Sequence, residues 1–142
     1  MLATKEVNWL TLDARIEPQQ LRPGTTGCLV VEAAIPEGGH IEAHEPPEPF
    51  LIPTVLEVAG DDAVAVGPVH YPRPSEIGFD WSPVTLRVLA GVVRFEVPVS
   101  VAESALGGTV ALTARLRYQA CTQGACLPPN EQTVTIEAPV VP

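Results

Sequence analysis

The chain of 142 residues is 46% hydrophobic and 18% charged, and seventeen Asp and Glu against eight Lys and Arg give a formal charge of -9. That length suits one domain with a core of its own, and that apolar content excludes a disordered chain. The acidic balance argues against a nucleic-acid groove or an anionic membrane surface as partner, and no apolar run approaches the ~18 residues of a membrane helix.

Residues 1–7 lack the basic and apolar regions of a secretory signal. We read the chain as a soluble domain excised from a longer, extracytoplasmic membrane protein, because the cysteine chemistry below suits an oxidising compartment. Sixteen prolines and eleven glycines punctuate runs rich in Val, Leu, Thr and Ile, the spacing of short strands joined by turns. Candidate strands span 7–14, 25–35, 51–59, 63–71, 84–90, 92–101, 109–119 and 131–137. The expectation is an all-β chain, one immunoglobulin-like β-sandwich of seven to nine antiparallel strands filling residues 1–142. Cys28 falls inside the 25–35 strand and reads as a small buried hydrophobe. The run Glu45-Pro46-Pro47-Glu48-Pro49 reads as a stiff, solvated connection. Residues 102–106 have the composition of one helical turn, stopped by Gly107-Gly108.

The 109–119 strand is the most regular. Val110, Leu112, Ala114, Leu116 and Tyr118 fall on one face, and Thr113, Arg115, Arg117 and Gln119 on the other. Continued alternation puts Cys121 with the polar set, an exposed thiol beside Arg115 and Arg117 whose thiolate those guanidinium groups would stabilise. Thr122-Gln123-Gly124-Ala125 then makes a hairpin loop. Cys121 faces Cys126 at the ~4.5 to 5.5 Å Cα separation of opposed residues, within reach of a disulfide. The same register sets Val134 across from Thr113, although Val134 and Ile136 read as core. A bulge is therefore expected at Pro128-Pro129, where proline cannot donate to the ladder.

The run Tyr118-Gln119-Ala120-Cys121-Thr122-Gln123-Gly124-Ala125-Cys126-Leu127-Pro128-Pro129 resembles the cysteine signature of the N-terminal domains of the thiol:disulfide interchange protein DsbD, also called disulfide bond corrector domains. Ile35-Pro36-Glu37-Gly38-Gly39-His40-Ile41, Leu51-Ile52-Pro53-Thr54 and His70-Tyr71-Pro72 are similar to further landmarks of that family in the same order, so the resemblance spans roughly residues 20–138. Four residues separate the cysteines, as in the shorter-loop branch of the family. The resemblance implies a periplasmic, immunoglobulin-like domain that accepts electrons from a thioredoxin-like domain fed by a transmembrane partner. It implies that these electrons pass to oxidised thiol proteins, disulfide isomerases and cytochrome c maturation factors among them. It also implies the exchanging role for Cys126 and the resolving role for Cys121. His40 and Glu42 stand where the family places side chains near the cysteines, and either is a candidate to assist proton transfer. The segment 76–81 stands at the family's cap position; its Phe79 and Trp81 are candidates to cover the disulfide, although the family's acidic-aromatic motif is not reproduced.

Blander readings stand beside these. An inert structural disulfide, in a non-catalytic immunoglobulin-like module that binds a partner, is the alternative of a different class. A zinc site from Cys121, Cys126, His40 and His44 is compatible with composition, but the C-x4-C spacing and the lack of a second close pair argue against it. Neither a metal nor another cofactor is expected. His40 also reads as a loop histidine without a chemical role, and 76–81 as a surface loop with its aromatics packed on the sandwich. No Ser-His-Asp arrangement, phosphate-cradling glycine loop or paired-carboxylate motif supports a hydrolase or a nucleotide-binding protein. The expected partners are thioredoxin-fold proteins or domains, and a membrane reductase domain of the same or another chain, engaged by a monomer.

Overall fold

The computed structural model describes residues 9–45, 51–79, 81–105 and 107–142. The connection expected at 45–49 falls outside the described residues but for Glu45, as do the start of the 7–14 strand, Asp80 of the 76–81 segment and Leu106 of the 102–106 turn. In chain order the strands are β1 (Thr11–Glu17), β2 (Thr26–Ala34), β3 (His40–Glu42), β4 (Val55–Gly60), β5 (Val64–Val66), β6 (Ser75–Ile77), β7 (Leu86–Leu89), β8 (Val92–Val101), β9 (Gly108–Tyr118), β10 (Ala120–Cys121) and β11 (Asn130–Val140). No helix of the described residues is long and apolar enough to cross a membrane. At 102–106 the expected turn is a single one, with Ala105 N donating to Ala102 O at 3.1 Å.

Two sheets make the sandwich, one ordered β1-β2-β8-β5 and the other β11-β9-β4, with antiparallel neighbours throughout. Alternation decides what each strand buries. Phe95, Val97, Val99 and Val101 of β8 meet Val110, Leu112, Ala114, Leu116 and Tyr118 of β9 in one core, which Leu29 and Val31 of β2 and Ala138 and Val140 of β11 complete. A fully buried Leu or Phe contributes about 1.5–3 kcal/mol. This architecture is an immunoglobulin-like β-sandwich.

A third sheet, ordered β10-β3-β7-β6, grows from both halves of the sandwich. Its β3 follows β2 in the chain and its β7 precedes β8, while β10 follows β9 after the single residue Gln119. Ala120 and Cys121 pair with Ile41 and His40, so the strand end that carries the first cysteine crosses from one half of the molecule to the other. Two glycines permit the bend before β3: Gly38 has φ +83°, a conformation costly for residues with a Cβ, and a Cβ on Gly39 would lie 2.5 Å from the Trp9 ring. A small separate core of Leu51, Phe79, Leu86 and Val88 lies in this part of the molecule.

Three short strands, β3, β6 and β10, were not among the expected ones. The expected 63–71 strand is reduced to Val64–Val66: Gly67 N still donates to Pro98 O at 2.8 Å, but Pro98 has no N–H to return and Pro68 has none to give. His70 rejoins β8 only as an isolated bridge to Glu96.

Candidate functional site: a hairpin disulfide beside a buried carboxyl

Cys121 and Cys126 form a disulfide with an S–S distance of 2.02 Å and a Cα separation of 3.9 Å, shorter than the sequence register suggested. The hydrogen bonds around it give the reason. Thr122 N donates to Ala125 O and Leu127 N to Ala120 O, which makes Cys121 and Cys126 the non-hydrogen-bonded pair of the hairpin, the kind whose Cα atoms approach more closely. The ladder then slips. Cys121 opposes Cys126, yet Tyr118 opposes Asn130 and Val134 opposes Ala114, so 127–129 carries one residue more than the facing chain. The slip falls at Pro128-Pro129, where the core character of Val134 and Ile136 required it.

The side of the sheet on which Cys121 falls is a correction. Alternation ends at Tyr118. Gln119 binds Ile52 N through Oε1 and Leu127 O through Nε2, and the chain then changes neighbours from β11 and β4 to β3. Ala120 and Cys121 are consequently both buried, Cys121 with no exposed surface. Arg115 and Arg117 stay on the outer face of β9, paired with Glu57 at 3.3 and 2.8 Å. The group beside the Cys121 sulfur is a carboxyl and not either of these guanidinium groups. Glu42 Oε2 lies 3.6 Å from Cys121 Sγ, and its carboxylate and the two sulfurs all lie within 4.8 Å of one another.

Glu42 is itself fully buried, and its Oε1 has no hydrogen-bond partner among the described residues. Burial pushes its carboxyl up to about 7. The backbone there is held on both sides: Glu42 pairs with Val88, and its carbonyl accepts the Thr54 hydroxyl. His40, two residues earlier on the same face, stands across from Cys121. Its Nδ1 is buried without a hydrogen-bond partner among the described residues, its ring meets Phe79 edge-on at 5.4 Å, and burial pushes its pKa down. His44 is held elsewhere, stacked on Tyr71 at 3.8 Å with Nδ1 2.9 Å from Thr54 O.

Cys126 is only half-buried. It opens into a groove of about 280 Å³ lined by Leu51, Trp81, Gln119, Gly124, Ala125 and Cys126 itself. Trp81 stacks on Phe79 at 5.2 Å and donates its indole N–H to Thr122 O at 3.4 Å, which ties the 76–81 segment to the hairpin loop. The two aromatics differ: Phe79 is 4% exposed and belongs to the small core, whereas Trp81 is half-buried at its edge. Leu51, Gln119 and Thr122 stand in the sequence motifs quoted above but were not among the expected site residues. Cys28 is free and half-buried rather than fully buried, across from Glu17 and Pro98 in the β1-β2-β8-β5 sheet, and burial pushes its thiol up.

A β-sandwich with a disulfide-bridged hairpin at the junction of its sheets, one sulfur sealed and the other opening into a groove, is the class of domain that fold and site define. Residues 6–138 match the family described as thiol:disulfide interchange protein DsbD, N-terminal, and the chain belongs to that family. Membership implies a thiol–disulfide redox role for the domain. No curated protein matches the chain. Among solved structures, the N-terminal periplasmic domain of ScsB from Proteus mirabilis is similar with a TM-score of 0.61 and 15% identity, over 96% of this chain and 49% of that one. The chain thus spans about half the length of that ScsB structure. The DsbD N-terminal domain of Neisseria meningitidis in its reduced form matches at 18% identity and a TM-score of 0.46, over 78% of this chain and 81% of that one. The GAE domain of GGA2p from Saccharomyces cerevisiae reaches 0.53 at 9% identity, covering 97% and 96%, which shows a sandwich shared without a shared sequence.

Proposed function

We propose that this chain is a periplasmic electron carrier, taking electrons from a thioredoxin-like domain fed by a membrane reductase and passing them to oxidised thiol proteins. Disulfide isomerases and cytochrome c maturation factors are the acceptors the family implies. The observation that carries the reading is the unequal exposure of one hairpin disulfide, with Cys121 sealed and Cys126 opening into a groove. The donor thiolate attacks Cys126 Sγ, the Cys121–Cys126 bond breaks, and Cys121 departs as a thiolate that takes up a proton. The donor's second thiolate then attacks the donor sulfur of the mixed disulfide, leaving an oxidised donor and a Cys126 thiolate. Oxidation by an acceptor reverses these steps. Leu127, 40% exposed and adjacent to Cys126, offers an apolar contact for a docked partner.

After brief exposure of the oxidised protein to a reduced thioredoxin-fold protein, acid quench and alkylation in denaturant should label Cys121 and Cys126 together with Cys28, whereas without the donor only Cys28 should label. A pair that stays closed under that treatment would favour the structural disulfide of a binding module.

Trp81 serves as the cover of Cys126 in this reading, with Phe79 as its anchor. Trp81→Ala should speed oxidation of the reduced protein by small disulfides and shift its reduction potential by less than ~30 mV, equivalent to ~1.4 kcal/mol for two electrons. An unchanged rate removes the lid. Phe79→Ala is a poorer probe, since it also hollows the small core of Leu51, Leu86 and Val88.

A further inference from the structure

We propose that Glu42 is the proton donor and acceptor of Cys121: protonated, it gives its proton to the Cys121 sulfur as the disulfide opens, and as a carboxylate it takes that proton back as the disulfide closes. The inference rests on the exchange reading above. It starts from a problem of charge. Attack at Cys126 expels Cys121 as a thiolate, and Cys121 has no exposed surface. Burial raises the cost of a thiolate above that of an ordinary thiol of pKa about 8.5, so a stronger acid inside the site, taking the charge from sulfur onto its own carboxylate, lowers the barrier to opening.

The site offers one suitably placed source. Glu42 Oε2 is 3.6 Å from the sulfur, and among the described residues no other group holds Oε1 by a hydrogen bond. The ionisable groups on the surrounding elements do not compete. His40 stands opposite Cys121, but burial lowers its pKa and keeps it neutral near pH 7, a poor acid. Arg87 of β7 neighbours Val88, the residue across from Glu42, and lines a different groove with His44 and Tyr71. Glu76 of β6 opposes Arg87 and is exposed. Cys126 is the other half of the reacting bond. Burial without a countercharge brings the Glu42 carboxyl to about 7, so both its forms are accessible near neutral pH, the condition for serving both directions.

The proton balance is complete. The donor thiolate and the disulfide yield a mixed disulfide and the Cys121 thiolate; that thiolate and the Glu42 carboxylic acid yield the Cys121 thiol and the Glu42 carboxylate. On closure the carboxylate takes the thiol proton, Cys121 attacks Cys126 Sγ in the mixed disulfide, and the partner leaves as a thiolate.

The experiment uses the oxidised protein and dithiothreitol, with the reduction rate divided by the concentration of dithiothreitol thiolate and followed from about pH 5 to about pH 9. In the wild type the normalised rate should fall at least about tenfold as pH rises through about 7, as the acid form is lost. Glu42→Gln should be slow throughout and lack the bend. A flat wild-type profile, or a Glu42→Gln protein that matches the wild type in rate and profile, overturns the proposal. The wild-type profile decides by itself if the variant does not fold. Dithiothreitol also opens an inert disulfide, which separates the two claims: a bent profile in a protein that no thioredoxin-fold donor reduces removes the exchange reading alone, and ready exchange with a flat profile removes Glu42 alone.

Discussion

Cys121→Ser is expected to trap a mixed disulfide with a thioredoxin-fold partner, joined through Cys126, and Cys126→Ser is expected to trap essentially none. The difference follows from access. Cys126 borders a groove between Trp81 and the loop residues Gly124 and Ala125. Cys121 is sealed behind it, between β3 and the hairpin, with no exposed surface. An incoming thiolate must approach along the axis of the bond it breaks, and only one of the two sulfurs has an open side. Without Cys121 the mixed disulfide has no resolving thiol and accumulates; without Cys126 the remaining thiol cannot be reached. Both variants should fold. A disulfide of sequence separation 5 closes a short loop and contributes only on the order of 2 kcal/mol. Leu29, Phe95, Leu112, Leu116 and Tyr118, all nearly or fully buried, supply far more. Denaturing gels without reductant read the outcome, and equal trapping by the two variants would remove the assigned order.

Glu42→Gln should change the stability of the oxidised protein by about 3 kcal/mol at pH 8 and hardly at all at pH 4. The sign follows from linkage. The folded carboxyl holds its proton up to about pH 7, whereas an unfolded glutamate releases it near 4.5. Across that window the folded state binds more protons, so wild-type stability declines as pH rises through it and levels off above. The difference of roughly 2.5 pH units corresponds to about 3 kcal/mol at ~1.36 kcal/mol per unit. Glutamine keeps the shape and has no proton to lose, so the variant lacks this decline and gains on the wild type as pH rises. Urea midpoints of both proteins at several pH values measure it. A gap that does not change between pH 4 and pH 8 would mean that the folded Glu42 carboxyl titrates where an unfolded one does, near 4.5.

Long alternating strands were legible because burial and chemistry alternate together. The expected 92–101 strand coincides with β8, and the face of β9 named for the core is the face that is buried. Strands of two or three residues carry no period to detect, so β3, β6 and β10 went unread, and two of these three build the site. The misplacement of Cys121 has the same root. Extending alternation past Gln119 assumes that the strand keeps its neighbours, and there it exchanges β11 and β4 for β3. That exchange turned an expected guanidinium environment into a carboxyl one and so reversed the electrostatic expectation for the thiol. The slip at Pro128-Pro129 was legible because Val134 could not sit in both registers. That His40 and Glu42 share a face follows from their spacing of two. That this face is buried against the disulfide depends on β10 and the small core of Phe79, Leu86 and Val88, which no local pattern revealed.

The reduction potential of the Cys121–Cys126 couple tests the central claim most directly. Equilibration of the protein in buffers of defined thiol–disulfide ratio, followed by acid quench, alkylation and mass spectrometry, gives the fraction reduced. A domain that receives electrons from thioredoxin-like donors and delivers them to oxidised thiol proteins must lie roughly between -270 and -120 mV, and that is the expected range. A potential below about -300 mV, where structural disulfides of secreted proteins lie, would contradict the account and leave the pair as an inert structural link.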